Sequence, residues 1–268
     1  MSTPSQFYAF RHGEEMPRLD YPSLQRLIAG VLKDLDDRGW FQAKLGKDCP
    51  DDPCDIGALV LERLGRDLWP LYWAASKEPE PWLFTIIEFA YANVAKPLDS
   101  YVHPWDDCGI HVTRSDQRAG QADFLVRINA ILGRYEKPFV LRDDGELWEA
   151  APSGLDTLEV EPLGNPSIDD RVSSAVRSFR RYGANEDDKR HAIRDLADVL
   201  EYLRSSVGTQ LPSKDEADLF NIANNFAIRH HNPQQKGQYS SGVWLDWMFY
   251  AFLDSIEASK KLVAKASR

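Results

Sequence analysis

Five side chains near residue 230 are of the types that phosphate chemistry needs. Arg229, His230, His231 and Asn232 are consecutive, and Asn225 lies four residues before Arg229, on the same face of a helix. Metal-independent RNA cleavage requires a base for the 2′-OH proton, an acid for the leaving oxygen and a cation for the phosphorane charge. Only histidine titrates near neutral pH without perturbation. Arg229 suits the phosphate, His230 and His231 the proton exchange, and Asn225 or Asn232 the orientation of both. The same residues also suit a plain helix end. There Arg229 lies along the surface by its aliphatic stem, and the imidazoles sit beside the last carbonyls, where cations are favoured. Both readings stay open on residue type alone.

The elements around the cluster are helical. Leu219, Ile222, Ala223 and Phe226 recur at helical spacing. Ser213 followed by Glu216 forms a capping-box start, which predicts a helix over 214–229 that Asn232-Pro233 stops. Further helices are expected at 167–182, with Ser167 as N-cap, and at 187–204, where Ile193, Leu196, Leu200 and Leu203 are in phase. A final helix at 241–264 is apolar nearly all round from Val243 to Phe252. It is expected to be the buried centre of a four-helix bundle, with its aromatic residues in the core.

Upstream, amphipathic helices are expected at 22–38, 55–65, 81–94 and 119–136. The first carries Leu24, Leu27, Ile28, Val31, Leu32 and Leu35 on one stripe, and the last carries Phe124, Leu125, Ile128, Ile131, Leu132 and Tyr135. Pro97, His103, Pro104 and Trp105 read as a loop before a short strand at Ile110–Thr113. Asp144-Gly145 between two runs of strand-forming residues over 139–148 predicts a β-hairpin. Residues 151–166, with three prolines and two glycines, are the expected boundary. The fold class read from the pattern is mainly α, as an N-terminal helical domain with a small β-hairpin (1–152) and a C-terminal four-helix domain (164–268).

Two other constellations contain chemically active residues. Cys49 and Cys54 fall in one loop, and His103, Cys108 and His111 in another. Zinc sites use these ligand types, but Cys-x4-Cys and His-x4-Cys-x2-His are looser than usual spacings, so free thiols and surface imidazoles are expected and no metal is assigned. A zinc-stabilised regulatory domain at 49–111 is the alternative. Arg11-His12-Gly13 matches a histidine-phosphatase tripeptide, but that chemistry places it at the end of a first strand in a parallel sheet. Phe7–Phe10 is the only strand-like run here, and no βαβ alternation follows.

Phosphate-binding, dinucleotide, zinc-protease and nucleophile-elbow motifs are missing, and no cofactor is expected. The net charge of −10 sits mainly on residues 1–150, with 17 basic against 25 acidic side chains. That argues against non-specific nucleic-acid binding by the chain as a whole. Eight Trp, ten Tyr and twelve Phe exclude a disordered chain. No apolar run of membrane-spanning length occurs, and residues 1–6 lack signal-peptide character. Three cysteines do not form a disulfide framework, so a cytoplasmic setting is expected.

The C-terminal half resembles the HEPN helical domains of prokaryotic abortive-infection proteins, in which an Arg/His motif precedes a hydrophobic last helix. Ala227-Ile228-Arg229-His230-His231-Asn232 stands at that place. The N-terminal half resembles AbiJ-type domains through the helix Phe124–Leu132 followed by the hairpin Phe139–Leu147. The resemblance implies an anti-phage, toxin-like protein that dimerises through its C-terminal domain and cleaves RNA without metal at a site shared by two subunits. Arg229 matches the motif, with His231 as a substitute acid/base. The motif's histidine falls four to six residues after the arginine, where this chain has Pro233, Gln234 and Gln235. The alternative is a non-catalytic helical module that binds a partner protein or nucleic acid.

Overall fold

A computed structural model describes residues 7–49, 53–104, 108–151, 160, 162–207 and 241–266. The described residues are mainly helical, with two antiparallel two-stranded sheets. They divide into two compact units, Met1–Glu149 and Ala150–Arg268.

Unit 1 opens with a short exposed helix, α1 (Tyr8–Arg11), where the sequence suggested a strand; with sheet partners for neither face, Phe7 and Tyr8 stay in solvent. Helix α2 (Tyr21–Asp37) starts where Asp20 accepts the Ser23 N–H at 3.0 Å and Pro22 occupies the first turn. It buries Leu24, Ile28, Val31, Leu32 and Leu35. Leu27, expected on that stripe, is 38% exposed, because the buried face is narrower than the apolar one. Short helices α3 (Gln42–Leu45) and α5 (Leu71–Ala75) flank α4 (Ile56–Leu64), which Asp55 caps at the Ala58 N–H. Helix α6 (Glu80–Asn93) is buried along Leu83, Phe84, Ile86, Ile87, Phe89 and Ala90.

Strand β1 (Lys96–His103) pairs antiparallel with β2 (Gly109–Asp116). The loop expected from Pro97, His103, Pro104 and Trp105 is instead a strand up to His103, although Pro97 and Asp99 are poor strand formers. Those residues sit at the register irregularity near the root, where an edge strand tolerates them. Asp116 then caps α7 (Gln117–Leu132), whose buried residues Gly120, Phe124, Ile128 and Leu132 recur every fourth position. Leu125 and Ile131 are only partly buried. The expected hairpin forms as β3 (Phe139–Leu141) and β4 (Leu147–Glu149), with Gly145 at φ 91° in the turn.

Unit 2 contains α8 (Pro166–Arg180), α9 (Glu186–Val207) and α10 (Ser241–Ala266). Asn165, not Ser167, caps α8: its side chain accepts the Ser167 N–H, and Pro166 takes the first helical position. Helices α8 and α10 both pack on α9. Phe179, Ile193, Leu196, Leu200, Met248, Phe249, Phe252 and Ile256 belong to one buried cluster, in which the Phe179 and Phe249 rings stack at 3.9 Å. Helix α10 is not buried all round. Val243, Trp244 and Trp247 are exposed, because the face toward the cluster is taken by Leu245, Met248, Phe249, Tyr250, Phe252, Leu253 and Ile256. The expected helix 214–229 lies outside the described residues.

Candidate functional site

Arg229, His230, His231, Asn232 and Asn225 lie outside the described residues. Arg11-His12-Gly13 ends the short helix α1, with the His12 ring 4.1 Å from that of Tyr8. Both sheets among the described residues are antiparallel, so the tripeptide lacks the parallel-sheet setting that phosphatase chemistry uses.

The group that the fold does assemble is in unit 1. Gln42, at the start of α3, grips β2 as a backbone strand would: its Nε2 donates to the Ile110 carbonyl at 2.8 Å, and its Oε1 accepts the Val112 N–H at 2.9 Å. Close approach depends on Gly39, at φ 74°. A Cβ there would stand 2.8 Å from the Val112 side chain. This clamp brings the segment after α3, and with it Cys49, beside the tip of the β1–β2 hairpin. Register does the rest. Tyr101 pairs with His111 and His103 with Gly109, which sets His103 and His111 on one face of the hairpin.

Cys49, His103, Cys108 and His111 each present one donor atom, and the four atoms lie within 4.8 Å of one another. Cys49 Sγ is 3.5 Å from His103 Nδ1, and Cys108 Sγ is 3.0 Å from His111 Nε2. The two imidazoles meet edge to face at 87° with centroids 5.2 Å apart, and Tyr101 stacks on His111. Cys49 is 2% exposed; the other three are half-buried. Two sulfurs and two imidazole nitrogens are a donor set able to hold a metal ion. Cys54 stands apart, its thiol on the Leu45 carbonyl at 3.4 Å.

Beside the cluster a cleft of about 590 Å³ is lined by Asp36, Gln42, Lys47, Asp48, Trp69 and Cys108, among others. Burial, and then the charge of Asp37, push the Asp36 carboxyl above its ordinary value.

The sequence reading considered five cysteine and histidine residues as two loop groups. The fold selects four of them from both groups and leaves out Cys54. The missed signal was β1: once 96–103 and 109–116 are paired, two imidazoles and the tip cysteine converge. The partner contributed by Cys49 comes from a residue 54 positions earlier than His103, which spacing does not reveal. Comparison with known proteins finds no family model, no curated relative and no solved structure that matches the chain.

Proposed function

We propose that the chain is a cytoplasmic prokaryotic anti-phage, toxin-like protein whose C-terminal unit is a HEPN-like bundle acting as a metal-independent ribonuclease. The observation that carries this reading is the run Arg229-His230-His231-Asn232, placed between helix-forming sequence and a final helix that buries one apolar face. In this reading Arg229 stabilises phosphorane charge, His231 and His230 exchange protons, and Asn232 or Asn225 orients them. Two chains pair through the C-terminal domain, RNA is the substrate, and the N-terminal unit is accessory. Among the described residues no helix is long and apolar enough to cross a membrane, which agrees with a protein that acts away from one. Total RNA and growth in cells induced for the chain test the proposal. RNA breakdown and growth arrest are expected for the natural sequence and lost in an Arg229→Ala, His230→Ala, His231→Ala triple variant. Full activity of the triple variant contradicts the reading.

A second reading is supported by α10, where Val243, Trp244 and Trp247 are exposed and the two indoles meet edge to face at 5.4 Å. Aromatic residues on a helix surface suit a non-catalytic module that binds a partner protein or nucleic acid. It is favoured if the triple variant behaves as the natural chain while Trp244→Ser, Trp247→Ser abolishes the phenotype without loss of helix content.

A further inference from the structure

We propose that Cys49, His103, Cys108 and His111 bind one Zn²⁺ as a closed structural site, clipping the segment after α3 to the tip of the β1–β2 hairpin. A tetrahedral zinc holds thiolates at about 2.3 Å and imidazoles at about 2.0 Å, which separates its donor atoms by roughly 3.3–3.8 Å. The Cys49–His103 and Cys108–His111 Sγ–N separations, 3.5 and 3.0 Å, straddle the lower edge of that range, and all four donors lie within 4.8 Å. Side-chain adjustments of up to about 1 Å bring the widest-set donors, now within 4.8 Å, into the tetrahedron. Edge-to-face imidazoles at 87° are already splayed as two ligands of one centre are.

Charge balance also fits the ion. Binding releases the two thiol protons to solvent, and two thiolates then neutralise Zn²⁺. A neutral complex suits Cys49, whose side chain is almost wholly removed from water. Mixed sulfur and imidazole ligands favour zinc over calcium or magnesium, which take oxygen. Four protein ligands leave no position for water or substrate, so the site holds structure together and does not activate a nucleophile.

The fold also needs a clip at this point. Every residue of β1 and β2 is half-buried or exposed, and Leu98, Tyr101, Val102 and Ile110 are exposed apolar residues. A two-stranded hairpin without a buried face is marginal in water. Gln42 secures β2 at Ile110 and Val112; beyond it, His103 at the end of β1 and Cys108 just before β2 are two of the four ligands and adjoin the other two. A metal bridging residues 54 positions apart supplies the missing constraint. A disulfide between Cys49 and Cys108 would use neither imidazole.

The test is metal analysis of the full-length protein, purified without a histidine tag under reducing conditions, followed by exchange with cobalt. About one zinc per chain is expected, and the cobalt form should show tetrahedral absorption with thiolate charge transfer. Cys49→Ser, Cys108→Ser and His111→Gln should each lose most of the metal, whereas Cys54→Ser should keep a full equivalent. Less than about a tenth of an equivalent of zinc in the natural protein, with no cobalt spectrum on titration, overturns the proposal. So does equal loss of metal in Cys54→Ser and Cys108→Ser. Because ligand variants can misfold, the cobalt spectrum of the unsubstituted chain decides the matter on its own.

Discussion

The two units solve the same problem, ordering a chain of marginal stability, by different means. In unit 2 the described helices share one apolar cluster, and ion pairs such as Arg190–Glu186 and Arg181–Asp188 stay on the outside. In unit 1 single polar side chains satisfy backbone groups far away in sequence. Tyr21 and Gln25 both donate to the Glu78 carbonyl, Tyr91 donates to the Asp143 carbonyl, and Asn129 pairs with both the N–H and the carbonyl of Leu141. Periodic apolar burial tolerates exchange of one aliphatic group for another. A side chain that replaces a strand partner does not, because its loss strands a donor or acceptor. Unit 2 is therefore specified chiefly by a pattern, whereas unit 1 adds to its buried apolar helix faces a set of individual polar contacts.

Substitutions sharpen that contrast. The largest effect is expected from Phe249→Ala, which removes a fully buried ring stacked on Phe179 and should cost about 3–5 kcal/mol. Denaturant unfolding followed by circular dichroism reads it, and Phe249→Leu should recover most of the loss. Asn129→Ala should cost about 2 kcal/mol, since Leu141 loses partners for both its N–H and its carbonyl. Here Asn129→Leu, although similar in size, should rescue nothing; if it does, unit 1 is specified by packing after all. Gln42→Ala should cost about 1 kcal/mol by freeing Ile110 and Val112, and should raise proteolysis of the hairpin more than that of any helix.

The smallest effect concerns pH. Burial raises the Glu88 carboxyl above its ordinary value of 4.5, with the Leu147 N–H opposing and Glu146 and Asp144 adding to the rise. A carboxyl whose folded value lies above its unfolded one favours the fold when protonated. Its contribution is therefore most favourable below pH 4.5 and is lost as pH rises through the folded value. Glu88→Gln keeps the acceptor for Leu147 and removes the charge. The melting temperature of the variant relative to the natural chain should rise from acid to neutral pH; a constant difference would refute this assignment.

What the sequence made legible follows the same division. Helices α9 and α10 and the β3–β4 hairpin were readable because Ile193, Leu196, Leu200 and Leu203 keep helical phase and Asp144-Gly145 announces its turn. The N-cap of α8 was misplaced by two residues because Asn165 and Ser167 are equally good caps, and Pro166 at the first helical position decides between them. Strand β1 was missed because Pro97, Asp99 and Ser100 are poor strand formers that an edge position tolerates. With β1 hidden, the convergence of His103, His111 and Cys108 on Cys49 was hidden too. Tertiary pairing, not local spacing, creates that cluster. The candidate residues around Arg229 were chosen for their chemistry alone and lie outside the described residues.

Hydrogen exchange with and without a zinc chelator tests most directly the claim that the two units are held by different means. If the proposed zinc is bound, stripping it should raise exchange in residues 46–49 and across β1 and β2, leaving α8, α9 and the buried stretch of α10 at their original protection. Protection of the hairpin that is unchanged by chelation, or lost equally from both units, would contradict the account.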